Sequence, residues 1–175
     1  MASNPVEIFE NRAPVLVLGL GNILLGDDGL GPAVIEHLLQ DSEESTEQIE
    51  LIDGGTQGLA LLGHLGGREA IIIVDALATG APPGTIHRFD ATSSPIPERL
   101  QSSCSTHAFG LGEAIELARA LHRLPERVVL IGIEGRRFDA GLGLSEEVEA
   151  MAGQILEDVS SEARQLAGLS EFGAA

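Results

Sequence analysis

Residues 70–74 read Ala-Ile-Ile-Ile-Val, with no polar side chain, and end at Asp75. A strand with one wet face alternates polar and apolar residues. An unbroken run like this one suits a strand buried on both faces, as in a parallel sheet covered by helices above and below. Val15-Leu16-Val17-Leu18 has the same character and ends at Gly19, and so does the run over 128–133. Weaker strands are expected near 49–53 and over 85–89. Between them lie stretches of helical spacing. The first covers 28–40, with Leu30, Ala33, Val34 and Leu38 on one face, and a short one covers 59–65. A third covers 106–122, with Ala108, Leu111, Ile115 and Ala118 as its buried stripe. The last starts near Ser145 and carries Leu144, Val148, Met151, Ile155 and Val159. Strand and helix alternate, which defines a three-layer α/β domain with a mostly parallel sheet and helices on both faces. Pro82-Pro83-Gly84 is a turn signal. It leaves too few residues for a parallel crossover, so the strand at 85–89 is expected to run antiparallel to its predecessor or to lie elsewhere in the sheet.

The chain has 175 residues, of which 43% are hydrophobic, enough for one domain with a sizeable core. Residues 14–167 are expected to form that domain, with 1–13 a loose leader and 168–175 a tail. Lys plus Arg is 10 against 27 for Asp plus Glu, a net charge of −17. That excess repels phosphate backbones and anionic lipid, so no nucleic-acid or membrane partner is expected. Six acidic residues fall within 36–50 and seven within 146–171, so much of the charge belongs to solvated stretches. With no Trp or Tyr, stacking platforms for single strands are also missing. The one cysteine, Cys104, excludes an internal disulfide framework and a Cys-rich zinc module. Neither a signal peptide nor an apolar run of membrane-spanning length is visible, so a soluble cytoplasmic protein is expected.

Ligands of open α/β sheets bind beyond the carboxyl ends of the strands. Three polar clusters fall at such ends or in adjacent loops: Gly19 to Gly29, Asp75, and Ser105-Thr106-His107. The glycine-rich turn is not a dinucleotide fingerprint, because after Gly19 and Gly21 the next glycine is Gly26, and no P-loop lysine follows. Asp27 and Asp28 also put negative charge where a pyrophosphate would sit. A cation suits that turn better. Asp28, Asp75 and His107 together offer two carboxylates and an imidazole, a donor set fit for a divalent transition metal with positions left open. Each also has a simpler reading. Asp27 or Asp28 can cap a helix, Asp75 can bond backbone at a strand end, and His107 can sit in the first turn of a helix. Spacing alone does not bring the three together. Neither H-E-x-x-H nor G-x-S-x-G is present, which removes support for an ordinary zinc protease and for a serine hydrolase of the α/β-hydrolase type. A Cys104–His107 nucleophile pair is disfavoured, because such partners usually come from separate parts of a fold.

Six blocks, in order, resemble the maturation endopeptidases of nickel–iron hydrogenases, which remove a C-terminal extension from the hydrogenase large subunit after nickel insertion. They are VLVLGLGNILLGDDGLG (15–31), DGGTQGLALL (53–62), IIIVDA (71–76), PPGT (82–85), STHAFGL (105–111) and GLGLSEEVEAM (141–151). The resemblance covers roughly 14–160. It implies a twisted five-stranded sheet and places the family's metal-binding and catalytic positions on Asp28, Asp75 and His107. It also implies that Asp53-Gly54-Gly55-Thr56 takes part in substrate recognition. The nickel would arrive with the precursor on its own cysteine thiolates, and the protease would act as a monomer. Specificity would lie in loops such as 91–106 and 134–143. Nickel as catalyst, nickel as mere recognition mark, and the identity of the nucleophile stay open at this level, so an aspartyl-type and a metal-dependent peptidase both fit. Two further alternatives are a nickel-checking chaperone without peptidase activity and a nucleotide-binding α/β protein.

Overall fold

All eight residues of strand β3 (Ala70–Leu77) are buried. In the computed structural model, which describes residues 12–40, 46–56, 60–100 and 110–169, this strand is the centre of a five-stranded sheet. The other strands are β1 (Val15–Leu20), β2 (Ile49–Gly55), β4 (Ile86–Asp90) and β5 (Arg127–Glu134), in the order β2-β1-β3-β5-β4. Every pairing is parallel except that of β4 with β5. Both possibilities open for the fourth strand are therefore realised: it runs antiparallel, and its neighbour is β5 rather than β3.

Side-chain alternation divides the core between the two faces. Val15, Val17, Ile72, Val74, Val129 and Ile131 pack on one face beneath helices α1 (Leu30–Gln40) and α5 (Ala152–Leu166). Leu16, Leu18, Ile71, Ile73, Leu77 and Leu130 pack on the other beneath α2 (Leu61–Leu65) and α3 (Leu111–Ala120). From β1 the chain crosses through α1 to β2 on one side. It then returns through α2 to β3 on the other side of β1. The strand order therefore reverses between β1 and β3, and a crevice opens at their carboxyl ends.

Several boundaries differ from the sequence expectation. β1 continues through Gly19 to Leu20, and Gly19 there faces the Gly31 backbone and the Ile35 side chain of α1 with no room for a Cβ. A Cβ on Gly19 would lie 2.3 Å from the Gly31 carbonyl oxygen, and one on Gly31 would lie 2.2 Å from that of Leu20. This glycine pair lets the start of α1 press directly on the strand. The first helix is preceded by a separate 3-10 turn, Gly26–Gly29, that contains both Asp27 and Asp28. The last helix is two pieces, α4 (Glu146–Glu149) and α5. α3 starts at Leu111, and the expected segment before it, with Thr106 and Ala108, lies partly in 101–109, outside the described residues. Among the described residues, no helix is long and apolar enough to cross a membrane.

Candidate active site

Asp28 and Asp75 belong to the two segments that flank the crevice. Asp28 sits in the 3-10 turn that follows β1, and that turn packs against β3. Asp75 lies within β3 rather than beyond its end, one residue past Val74, the last position paired with β1. It has the parity of Ile71, Ile73 and Leu77, so it belongs to the face covered by α2 and α3. Both carboxylates are buried. Asp75 Oδ1 accepts the main-chain N–H of Ala76 at 2.9 Å. Asp28 Oδ2 accepts the N–H of Asn22 at 2.9 Å. Burial pushes the Asp28 carboxyl above the usual aspartate range, and the Asn22 N–H pulls the other way without offsetting it.

Asp27 is the opposite case. It is fully buried, and burial alone would raise its pKa. The main-chain N–H groups of Ser145, Arg137 and Arg136 and the Ser145 hydroxyl more than offset that and hold the carboxyl below its ordinary value. Oδ2 accepts from Arg136 N at 2.7 Å, Arg137 N at 2.9 Å and Ser145 Oγ at 2.8 Å, and Oδ1 accepts from Ser145 N at 2.6 Å. Neither aspartate caps α1. Asp27 reaches across to the loop after β5, while Asp28 turns back to Asn22. Two adjacent acids thus divide: one is saturated with donors and structural, the other is desolvated with little compensation. A desolvated carboxylate of the second kind is stabilised by a cation.

The expected recognition segment is part of β2 rather than a free loop. Gly19 pairs with Asp53 but Leu20 pairs with Gly55, so Gly54 is the extra residue of a bulge. Asp53 Oδ1 accepts the Gly55 N–H at 2.9 Å, and the Gly55 carbonyl accepts the Gly21 N–H at 2.9 Å. Gly55, at φ 53° with open space around it, and exposed Thr56 follow. The bulge ties 53–55 to the same edge as Gly21 and Asn22.

His107, with Cys104, Ser105 and Thr106, lies outside the described residues. Among the described residues, no three His, Cys, Asp or Glu side chains form a metal-sized group. Sequence reasoning passed over Glu134. It is buried at the end of β5 and accepts the Thr79 hydroxyl at 2.9 Å and the main-chain N–H groups of Thr79 and Gly80 at 3.0 and 2.8 Å. Its signal was present, since an acid ends the apolar run 128–133 just as Asp75 ends 70–74. His87 is partly buried on β4, with Nε2 3.6 Å from Glu134 Oε2.

A mostly parallel sheet with helices on both faces and buried carboxylates at its switch point defines the chain as an α/β protein with a polar cluster at the carboxyl ends of its strands. Comparison with known proteins narrows that class. The family model of hydrogenase maturation proteases matches residues 32–162. The hydrogenase 2 maturation protease of Escherichia coli is 33% identical over 160 residues, covering 91% of this chain and 92% of that protein. A hydrogenase expression/formation protein, HoxM, of Cupriavidus necator is 33% identical over 157 residues, covering 89% and 76%. Among solved structures, the hydrogenase maturating endopeptidase HybD of E. coli superposes with a TM-score of 0.68 at 30% identity, over 86% of this chain and 92% of that one. The chain belongs to the hydrogenase maturation protease family.

Proposed function

We propose that this chain removes the C-terminal extension of a nickel–iron hydrogenase large-subunit precursor, and that it reads the nickel already seated in that precursor. The reading rests above all on two buried acids on the segments that flank the β1/β3 crevice, Asp28 in the turn after β1 and Asp75 in β3, with the desolvation of Asp28 only partly offset by the Asn22 N–H. The donor chemistry fits nickel. Two carboxylates supply hard oxygen donors, and His107 would add an imidazole to the precursor's own thiolates. α3 begins at Leu111, four residues after His107 in the chain, and packs on the sheet face to which Asp75 belongs.

Each of these residues has a part in the proposed reaction. Asp28 and Asp75 would hold the precursor's metal-bearing end at the strand edge, and His107 would complete the grip. Charge held by the two carboxylates in a water-poor crevice selects a precursor that carries its cation over one that does not. The scissile peptide would lie along Asp53, Gly54, Gly55 and Thr56. There the glycines let another backbone come close, and the open space at Gly55 leaves room for it.

The test is cleavage of nickel-loaded and nickel-free precursor by wild-type protein and by Asp28→Asn, Asp75→Asn and His107→Ala. The expected result is a released C-terminal peptide from wild type with the loaded precursor only, and at least about a hundredfold slower release with each variant, the scale for removing one charge-stabilising group. Full activity in the variants refutes the site. Binding of the loaded precursor with no released peptide assigns the chain instead to nickel checking without proteolysis.

A further inference from the structure

Asp27 lies in the same 3-10 turn as Asp28 but takes no part in the proposed metal contact. Its carboxylate collects donors from 136–145, the loop after β5. Main-chain bonds complete the joint: Asp27 N–H donates to the Arg137 carbonyl at 2.8 Å, Gly26 N–H to the Gly141 carbonyl at 2.8 Å, and Gly141 N–H to the Leu24 carbonyl at 2.9 Å. Leu25 and Gly141 form an isolated parallel bridge. The Arg137 guanidinium braces the loop from within by donating to the Gly143 carbonyl at 2.9 Å.

Large apolar side chains stand in solvent on either side of this joint. Ile23 and Leu24 are 57% and 59% exposed, and Leu142 is 73% exposed. They come from two segments far apart in the chain, and Ile23 follows directly on Asn22, whose N–H holds Asp28. The apolar rim is thus continuous with the edge that carries the carboxylate.

We propose that Asp27 is a positioning residue for the substrate. It clamps the 136–145 loop to the β1–α1 turn, so that Ile23, Leu24 and Leu142 form one apolar rim against which the precursor's peptide docks beside Asp28. This rests on the protease reading above, because only a peptide that must reach Asp28 has to pass this rim. Asp27 acts through the loop and touches no reacting atom. Its loss is therefore felt in binding before it is felt in the chemical step.

The experiment is a double-mutant cycle on cleavage of the nickel-loaded precursor, with Asp27→Asn and Leu142→Ser alone and together. Ser145→Ala is a milder second clamp variant that removes one donor and keeps the buried charge. Asp27→Asn and Leu142→Ser are each expected to raise KM roughly tenfold with kcat little changed, the scale of one lost charge-assisted contact or one buried side chain. Together they are expected to raise it by little more than either alone, because Leu142 docks only while clamped. Ser145→Ala shifts KM in the same direction by less. A clamp that is only structural instead lowers kcat with thermal stability and adds to Leu142→Ser, and that result, or an unchanged KM in Asp27→Asn and Ser145→Ala, overturns the proposal. Failure of wild type to cleave the precursor counts against the protease reading alone. The clamp itself is then judged by amide hydrogen exchange, where Asp27→Asn or Ser145→Ala must deprotect Arg137, Gly141 and Ser145, and unchanged protection refutes it.

Discussion

Asp27 takes both hydrogen-bond donors of Ser145 on one carboxylate, the N–H on Oδ1 at 2.6 Å and the hydroxyl on Oδ2 at 2.8 Å. Ser145 is the residue that opens α4, yet its hydroxyl does not cap that helix. It is directed to a different part of the chain. Removing it with Ser145→Ala is expected to cost about 1–2 kcal/mol, the range for a hydrogen bond to a charged acceptor. Asp27→Ala leaves the part-buried N–H groups of Arg136, Arg137 and Ser145 without their charged acceptor and is expected to cost about 3 kcal/mol. Urea denaturation of both variants measures this.

The same carboxylate sets a pH dependence. Its pKa is lowered in the folded state, so its stabilisation is complete above the unfolded value of 3.8 and is lost as pH falls through the folded value. The gap in unfolding free energy between wild type and Asp27→Ala is therefore expected to be constant near neutrality and to close in acid below 3.8. A gap that stays open in acid would show that packing, not charge, stabilises the clamp.

Asp28 has the opposite sign. Burial raises its folded pKa, so the folded state favours the protonated acid. The contribution is fully present below the unfolded value of 3.8 and is lost as pH rises through the folded value. At neutral pH the ionised Asp28 is a liability to folding. Asp28→Asn keeps an oxygen for the Asn22 N–H and removes the charge. It is expected to raise the melting temperature at neutral pH and to leave it nearly unchanged in acid, while precursor cleavage falls about a hundredfold or more. Thermal melts at both pH values, set beside the cleavage rate, separate a residue placed for function from one placed for stability.

How far the sequence discloses this site depends on what kind of contact carries each part. Apolar runs such as 70–74 and 128–133 disclose buried strands because burial on both faces leaves a mark on every residue of the run. The site is only partly legible, since its parts lie far apart in the chain. Asp27 and Asp28 are identical neighbours in sequence, and only the 136–145 loop, more than a hundred residues on, saturates one and leaves the other. The end of β1 was misplaced because Gly19 resembles a strand terminator. Its partner Gly31 shows it to be a contact point.

That contact gives a prediction of its own. A methyl group on Gly31 would stand 2.2 Å from the Leu20 carbonyl oxygen and 2.7 Å from that of Val74, and backbone atoms in the sheet cannot yield as a flexible side chain would. Gly31→Ala is expected to push α1 off the sheet at a cost of about 1–3 kcal/mol or more. Because Asp28 is three residues away in the turn leading into α1, cleavage should drop with it. Gly63→Ala is the control, since a Cβ there meets nothing within 4 Å. It should leave both stability and cleavage close to wild type.

Glu134 supplies the last prediction. Its two oxygens hold Thr79 and Gly80, the residues through which the chain leaves β3 after Asp75. Its main chain is fixed in turn, with its carbonyl accepting the Gly84 N–H at 2.8 Å and its N–H donating to the Thr85 carbonyl at 2.8 Å. Glu134→Ala frees the segment over 79–80 and leaves two main-chain N–H groups to find water, at an expected cost of about 2 kcal/mol. Glu134→Gln retains one oxygen for a subset of these donors but presents an NH2 to the others, so it should recover only part of the loss. Asp75 is held within β3 by pairing with Gly132 of β5, so its position survives the change. Cleavage per folded molecule is therefore expected to stay within a few-fold of wild type in both variants, with hydrogen exchange rising at Thr79 and Gly80. A collapse in cleavage comparable to that of Asp75→Asn would instead place Glu134 among the groups that act on the substrate.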